Sequence, residues 1–240
     1  MHFFTIAFTV LLLVVLPTTT YAENNQIKKS LSFGLFYGEG EFHDGDNNTL
    51  ASVPFNLAVQ KKRTTLKLSS SYLHAKREDE QNGYSLKGLG TSYISAKHLF
   101  KTAHFSDYLD MEGKMKILED NTTGELDIDG YDFRLSSTAY FWIAKNWLTT
   151  KAGYTWRNND LNNTLLGAVG LSRPVSTKLS IGGILEAEQA TQTVNSNKVE
   201  GIIHLTWKSS SQTKYTFYFI KGFTDQRLDW GAGLQISFYW

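Results

Sequence analysis

The side chains with the most obvious chemistry are histidines that lie beside acids or hydroxyls. His43 is followed by Asp44 and Asp46, an arrangement that could orient an imidazole as a general base or help to hold a cation. The same HDGDNN segment also reads as ordinary turn chemistry, because Asp, Gly and Asn favour tight turns. His74 follows Ser69, Ser70 and Ser71, but a serine becomes a nucleophile only with a base in hydrogen-bond reach, and sequence spacing alone does not establish that. His98 and His104 flank a short connection, and His204 sits in a charged alternating stretch. No GxSxG elbow and no EF-hand spacing is present. Cysteine is absent, which removes disulfides, thiolate zinc sites and a lipid anchor on an N-terminal Cys. No catalytic residue, metal ligand or cofactor is therefore assigned. The N-x-T sequons at Asn47, Asn121 and Asn162 read as chance in Asn-rich loops.

A second group of chemistry-bearing residues alternates with apolar ones. In YLDMEGKMKI, Asp110, Glu112, Lys114 and Lys116 fall on one face, opposite Leu109, Met111, Met115 and Ile117. In KVEGIIHLTWK, Lys198, Glu200, His204 and Lys208 oppose Val199, Ile203, Leu205 and Trp207. By the same parity Asp132, Arg134, Lys151, Arg157, Glu186 and Glu188 share the charged face. Charges of both signs on one face could select ions, or could pair with each other and hydrate an interior.

Positioning these residues requires strands, because the period is two. Runs are expected near 30–42, 51–60, 64–75, 88–100, 107–117, 128–141, 147–157, 163–173, 178–188, 197–208, 213–222 and 230–240, each close to the roughly 9 to 11 residues of a tilted transmembrane strand. The count is twelve. It falls to ten if Thr164–Arg173, the least well patterned run, does not pair with its neighbour. KKR, KTAHFS, IAKN, PVST and SSSQ are short connections, whereas HDGDNNTL, KREDEQNGYSLK, the 118–127 stretch and QATQTVNS are longer and polar. Short turns at one end and long loops at the other match an up-and-down outer-membrane barrel. A soluble sandwich has the same alternation with the faces reversed.

Two features favour the membrane. Aromatics gather near strand ends, with Phe100, Tyr108, Phe141, Trp142, Trp147, Trp207 and Tyr215 by the short turns and Tyr37, Tyr72, Tyr131, Tyr154, Trp156 and Trp230 toward the long loops. Two interfacial girdles would look like this. Phe100, Tyr108, Trp142, Trp147, Trp207, Tyr215 and Trp230 are the expected interface residues. The chain ends inside a strand, LQISFYW, with Phe238 and Trp240 on its apolar face, which resembles the insertion signal of bacterial outer-membrane barrels. Pro54 near a strand start and Pro174 in a turn do little harm to a ladder. Because lipid offers no partner to a free strand edge, the first strand must pair with the last.

The N-terminus supplies a compartment. Phe3–Leu16 is apolar, Pro17 follows, and small Thr20 and Ala22 precede a cleavage point. Residues 1–22 are read as a signal peptide and 23–240 as the barrel. The apolar run is shorter than the ~20 residues of a membrane-spanning helix. A net charge of +1 gives no global case for nucleic acid.

The segments GLGTSYISAKHLF, YLDMEGKMKI and YFIKGFTDQRLDWGAGLQISFYW resemble poorly characterised Gram-negative outer-membrane proteins labelled as transporters or as meta-pathway phenol-degradation proteins. The likeness runs over most of the chain after the signal, and its motifs describe barrel architecture: Gly-Leu-Gly at a strand start, Lys-Gly at a loop entry, Asp-Trp-Gly-Ala-Gly before the last strand. It departs in ending on Trp240 where Phe is usual. It implies passage of a small solute of aromatic or otherwise apolar character, and brings no catalytic residues.

The expectation is thus an all-β, roughly twelve-stranded transmembrane barrel in the outer membrane of a Gram-negative bacterium, not an enzyme. It would act as a monomeric passive channel or uptake protein for a small solute, contacting outer-membrane lipid and, through its last strand, the barrel-assembly machinery. Two alternatives belong to other classes. One is a rim enzyme acting on lipid or peptide with His43 or His74 as base; the other is an adhesive barrel binding through Lys76–Lys87.

Overall fold

Alternating polar and apolar residues force each strand to present two unlike faces, and a closed sheet is the arrangement that leaves neither edge unpaired in lipid. The computed structural model shows this closure, and it describes residues 27–41, 47–77, 85–102, 106–118, 132–157, 162–190, 197–224 and 228–240. The proposed signal peptide, His43 with Asp44 and Asp46, His104 and Tyr131 lie outside the described residues. The strands are β1 (Ile27–Glu41), β2 (Asn47–Lys61), β3 (Thr64–Arg77), β4 (Ser85–Leu89), β5 (Ser92–Lys101), β6 (Tyr108–Leu118) and β7 (Asp132–Ile143). They continue with β8 (Asn146–Arg157), β9 (Thr164–Pro174), β10 (Leu179–Glu188), β11 (Lys198–Lys208), β12 (Thr213–Gly222) and β13 (Leu228–Tyr239). Every pairing is antiparallel, consecutive strands pair except that β4 and β5 both pair with β3, and β1 closes on β13 from Ser30 opposite Tyr239 to Gly40 opposite Leu228.

The expected run at 88–100 is two strands, β4 and β5, both paired to β3. The cause is one extra residue at Gly90–Thr91, a bulge that bends the strand while it keeps the same partner. Gly90 N–H donates to the Ser71 carbonyl at 2.7 Å. A Cβ at Gly90 would lie 2.7 Å from Ser71 Oγ and 2.8 Å from Leu73 Cδ1, so the close approach requires glycine. The barrel therefore has twelve staves, with β4 and β5 forming one of them. The ten-stranded alternative is excluded, because β9 pairs along its length with β8 and with β10.

The inversion of faces is visible along β1. Leu31, Phe33, Leu35 and Tyr37 are exposed outward, while Ser32, Gly34 and Gly38 are buried inward. Exposed Val53, Phe55, Leu66, Met111, Met115, Leu171, Ile181, Leu185, Ile203 and Phe217 continue the apolar exterior around the barrel. The only apolar residue counted as fully buried among the described ones is Leu166, whereas ten polar or charged residues are buried. This is a transmembrane barrel with lipid outside and a polar interior.

One turn carries a testable strain. Ala144 and Lys145, the two central residues of the β7–β8 hairpin, have φ of 47° and 71°, the left-handed conformation of a type I′ turn that Asn-Gly fits best. Replacing the pair by Asn-Gly should stabilise the barrel by about 1 kcal/mol, read as a higher urea midpoint in refolding-competent detergent. An unchanged or lower midpoint would contradict this reading of the turn.

Candidate functional site: the barrel lumen

Register determines which side chains meet inside. Tyr93 faces Lys116, Ser95 faces Lys114, Lys97 faces Glu112, and Leu99 faces Asp110 across β5 and β6. On the next pair Asp110 faces Thr138, Glu112 faces Ser136 and Lys114 faces Arg134. Asp132, Lys151 and Arg157 follow on β7 and β8, and Glu186, Glu188, Lys198, Glu200 and His204 on β10 and β11. All these positions share the inner face with buried Ser32, Ser95, Ser136 and Ser237. Lys67 and Lys97 also face inward, opposite Ser95 and Thr65 respectively. The same parity would have found them, since Lys67 lies between outward Leu66 and Leu68.

Most of the carboxylates are engaged. Arg134 Nη2 meets Glu188 Oε1 at 2.5 Å and Arg134 Nε donates to Thr155 Oγ1 at 2.8 Å. Arg157 reaches Asp132 at 3.4 Å and Glu188 at 4.0 Å, and it donates to Thr164 Oγ1 at 3.0 Å. Thr164 in turn donates to Glu188 Oε1 at 3.2 Å. This network ties β7, β8, β9 and β10 together toward the long-loop end. Asp110 pairs with Lys97 and accepts from Tyr140 Oη at 2.7 Å. Lys198 pairs with Glu200 at 2.8 Å.

Elsewhere the inner wall carries an apolar row among polar neighbours such as Thr206, Thr216 and Gln235. Ile184, Ile202 and Ile220 stand side by side on β10, β11 and β12, followed by Gly231, Gly38 and Leu50 on β13, β1 and β2. Phe36 stacks on Tyr218 with centroids 6.0 Å apart. His204 packs over Gly182, where a Cβ would lie 2.6 Å from its Cε1. Adjacent apolar pairs such as Ile202–Ile203 hide this wall from alternation.

The aromatics divide by parity. Phe100, Trp207, Tyr215 and Trp230 face outward, as do Phe238 and Trp240, with Trp207 stacked on Tyr215 at 5.3 Å and Tyr37 near Trp230 at 5.8 Å. Tyr108, Trp142 and Trp147 carry the parity of Asp110 and Lys151. They cluster, with Trp142 and Trp147 4.8 Å apart and Tyr108 6.1 Å from Trp147, around the lumen mouth at the short-turn end. Proximity to a strand end does not say which face a ring is on; register does.

On the outer wall, Gly183 and Gly201 leave an apolar depression of about 620 Å³ between Val169, Leu185, Ile203 and Phe219. All four flanking side chains face lipid, so the depression lies outside the lumen. At the long-loop rim His74 Nε2 lies 3.0 Å from Ser85 Oγ. Its partner is thus Ser85 and not the Ser69–Ser71 run.

Closure, an apolar belt and a charged interior together define an outer-membrane-type β-barrel with a polar lumen. Among solved structures the chain is similar to the COG4313 outer membrane channel from Pseudomonas putida F1, with TM-score 0.71 and 10% identity over 94% of this chain and 100% of that one. It is also similar to the beta domain of the Bordetella autotransporter BrkA (TM-score 0.61, 12% identity, 90% and 100% covered) and to the KdgM porin (0.52, 11%, 87% and 98%). No family model and no curated protein matches the chain. At these identities the likeness shows the fold, which channels and autotransporter domains share.

Proposed function

We propose that the mature chain sits in the outer membrane of a Gram-negative bacterium as a monomeric passive channel for a small solute. The observation that carries this is the closed twelve-stave wall around a lumen lined by ionised side chains. Twelve strands about 4.8 Å apart, tilted roughly 40°, give a diameter near 24 Å between opposite Cα atoms, wide enough to leave a path between lysine and isoleucine side chains. Similarity to solved channels supports the reading, as does the resemblance to proteins linked to aromatic degradation. The exposed end of β13, with Phe238 and Trp240 outward, suits handover by the barrel-assembly machinery.

The test is to refold residues 23–240 in detergent, confirm a heat-modifiable band, and record single-channel currents in a planar bilayer under a salt gradient. Discrete conductance steps are expected. Because inward Lys67, Lys97, Lys114, Lys116, Arg134, Lys151, Arg157 and Lys198 outnumber Asp110, Glu112, Asp132, Glu186, Glu188 and Glu200, the reversal potential should show anion preference. A folded barrel that passes no current would overturn the open channel.

The Ser85–His74 contact favours a second reading, hydrolysis at the rim. Against it, no carboxylate orients the His74 ring among the described residues, whereas a nucleophile–base pair ordinarily needs that third group. Loss of an esterase activity in Ser85→Ala, with conductance intact, would support this second reading.

A further inference from the structure

The lumen has two unlike walls, and tilt brings them level. In a barrel with strands inclined roughly 35–45°, a row of paired residues climbs as it passes from strand to strand. Lys67 on β3, Lys114 on β6 and Lys151 on β8 thereby come to about the depth of Ile184, Ile202 and Ile220 on β10–β12. Counting staves around the closed sheet, β10 stands opposite β3 and β12 opposite β6.

The three lysines differ from four other inward cations. Arg134, Arg157, Lys97 and Lys198 each have a carboxylate partner, whereas none of Lys67, Lys114 and Lys151 forms an ion pair among the described residues. Lys114 Nζ sits 3.8 Å above the Tyr93 ring and is opposite Arg134 in the β6–β7 register, with Lys67, Lys151 and the acid Glu112 also acting on it. Three ammoniums share this stretch with Glu112, and among the described residues no hydrogen bond engages their donors. A bound anion relieves the repulsion among them. The isoleucine side chains, which themselves carry no hydroxyl or charge, offer dispersion contact and nothing for water to bond.

We propose that this part of the lumen binds an amphipathic organic monoanion, its carboxylate at Lys67, Lys114 and Lys151 and its apolar body on Ile184, Ile202 and Ile220. The proposal rests on the channel reading and specifies the solute class. A small hydrophilic anion would lack the second wall, and a neutral hydrocarbon the first.

The test is equilibrium dialysis of labelled 3-phenylpropionate against the folded barrel in non-ionic amphipol, with acetate and 3-phenylpropanol as comparators, beside the bilayer recording. Phenylpropionate should bind at least about tenfold more tightly than either comparator. Lys67→Gln and Lys114→Gln should each weaken it by about tenfold, the size of one charge-assisted hydrogen bond. Ile202→Ser should weaken it severalfold, and Lys221→Gln, on the outer wall, should leave it unchanged. Equal binding of acid and alcohol, or full affinity in both lysine variants, would overturn the proposal. Conductance without binding sinks the site and leaves the channel, whereas binding without conductance keeps the site and removes the channel.

Discussion

Replacing Glu188 by leucine is expected to destabilise the folded barrel by about 3 kcal/mol, the low end of the cost of removing one partner from a buried ion pair. Glu188 is 8% exposed. Its Oε1 is shared by Arg134 at 2.5 Å, Thr164 at 3.2 Å and Arg157 at 4.0 Å, so its loss leaves two guanidiniums on one patch of wall. The figure stays at the low end for two reasons. Arg134 is 25% exposed to the wet lumen, and Arg157 keeps Asp132 at 3.4 Å. Glu188→Gln, which retains an acceptor for Thr164, should cost about half as much. The double variant Glu188→Leu with Arg134→Met should recover much of the loss, because the uncompensated charge leaves with its partner. Denaturant midpoints of the single and double variants in phospholipid vesicles measure this. Additive losses would show that the network contributes nothing as a pair.

The Glu188 network also shows where sequence reading stops. Parity alone places Arg134, Arg157 and Glu188 on one face, since in each of their strands outward neighbours such as Phe133, Leu135, Trp156 and Leu185 are apolar. Parity does not say that Arg134 on β7 meets Glu188 three strands away. That contact depends on register, and register depends on turn geometry and bulges. The same gap accounts for Tyr108, Trp142 and Trp147. Their closeness to short turns is legible, but around Trp142 and Trp147 both faces of the strands are apolar, in AYFWI and NWL, so alternation has little to distinguish there, whereas Tyr108 shares its parity with Asp110. Gly90 is a third instance: GLGTSYI reads as one continuous strand, and the extra residue shows only when β3 pairs with both halves.

What was legible is the inside-out architecture itself, because the membrane imposes it locally on every strand. Leu31, Phe33 and Leu35 alternate with Ser32 and Gly34 whatever their partners, and twelve such runs with alternating short and long connections leave closure as the only way to pair both edges. The apolar row in the lumen was not legible. Ile184 adjoins Leu185 and Ile202 adjoins Ile203, so both faces look alike over those steps. The proposed site is spread across walls that only closure brings face to face, and no local motif carries it.

The assignment of faces is put at greatest risk by two adjacent positions on β9. Arginine at Val169, whose side chain is 46% exposed on the outer wall, should cost about 2–4 kcal/mol, the penalty for a guanidinium near the middle of a bilayer. Arginine at Ala168 should cost less than about 1 kcal/mol, because that side chain enters the lumen between Lys151 and Glu186, its partners on β8 and β10, and finds water and a carboxylate there. The two variants add the same charge one residue apart on one strand, so their difference mainly reports the direction of one Cα–Cβ bond. Unfolding in vesicles should separate them, while in detergent the gap should narrow as micelles admit water to the outer face. In a soluble sandwich the order would reverse, because the exposed face at Val169 would accept the charge and the interior at Ala168 would not. Equal costs would mean that neither face is dry, which is incompatible with a barrel wall in lipid.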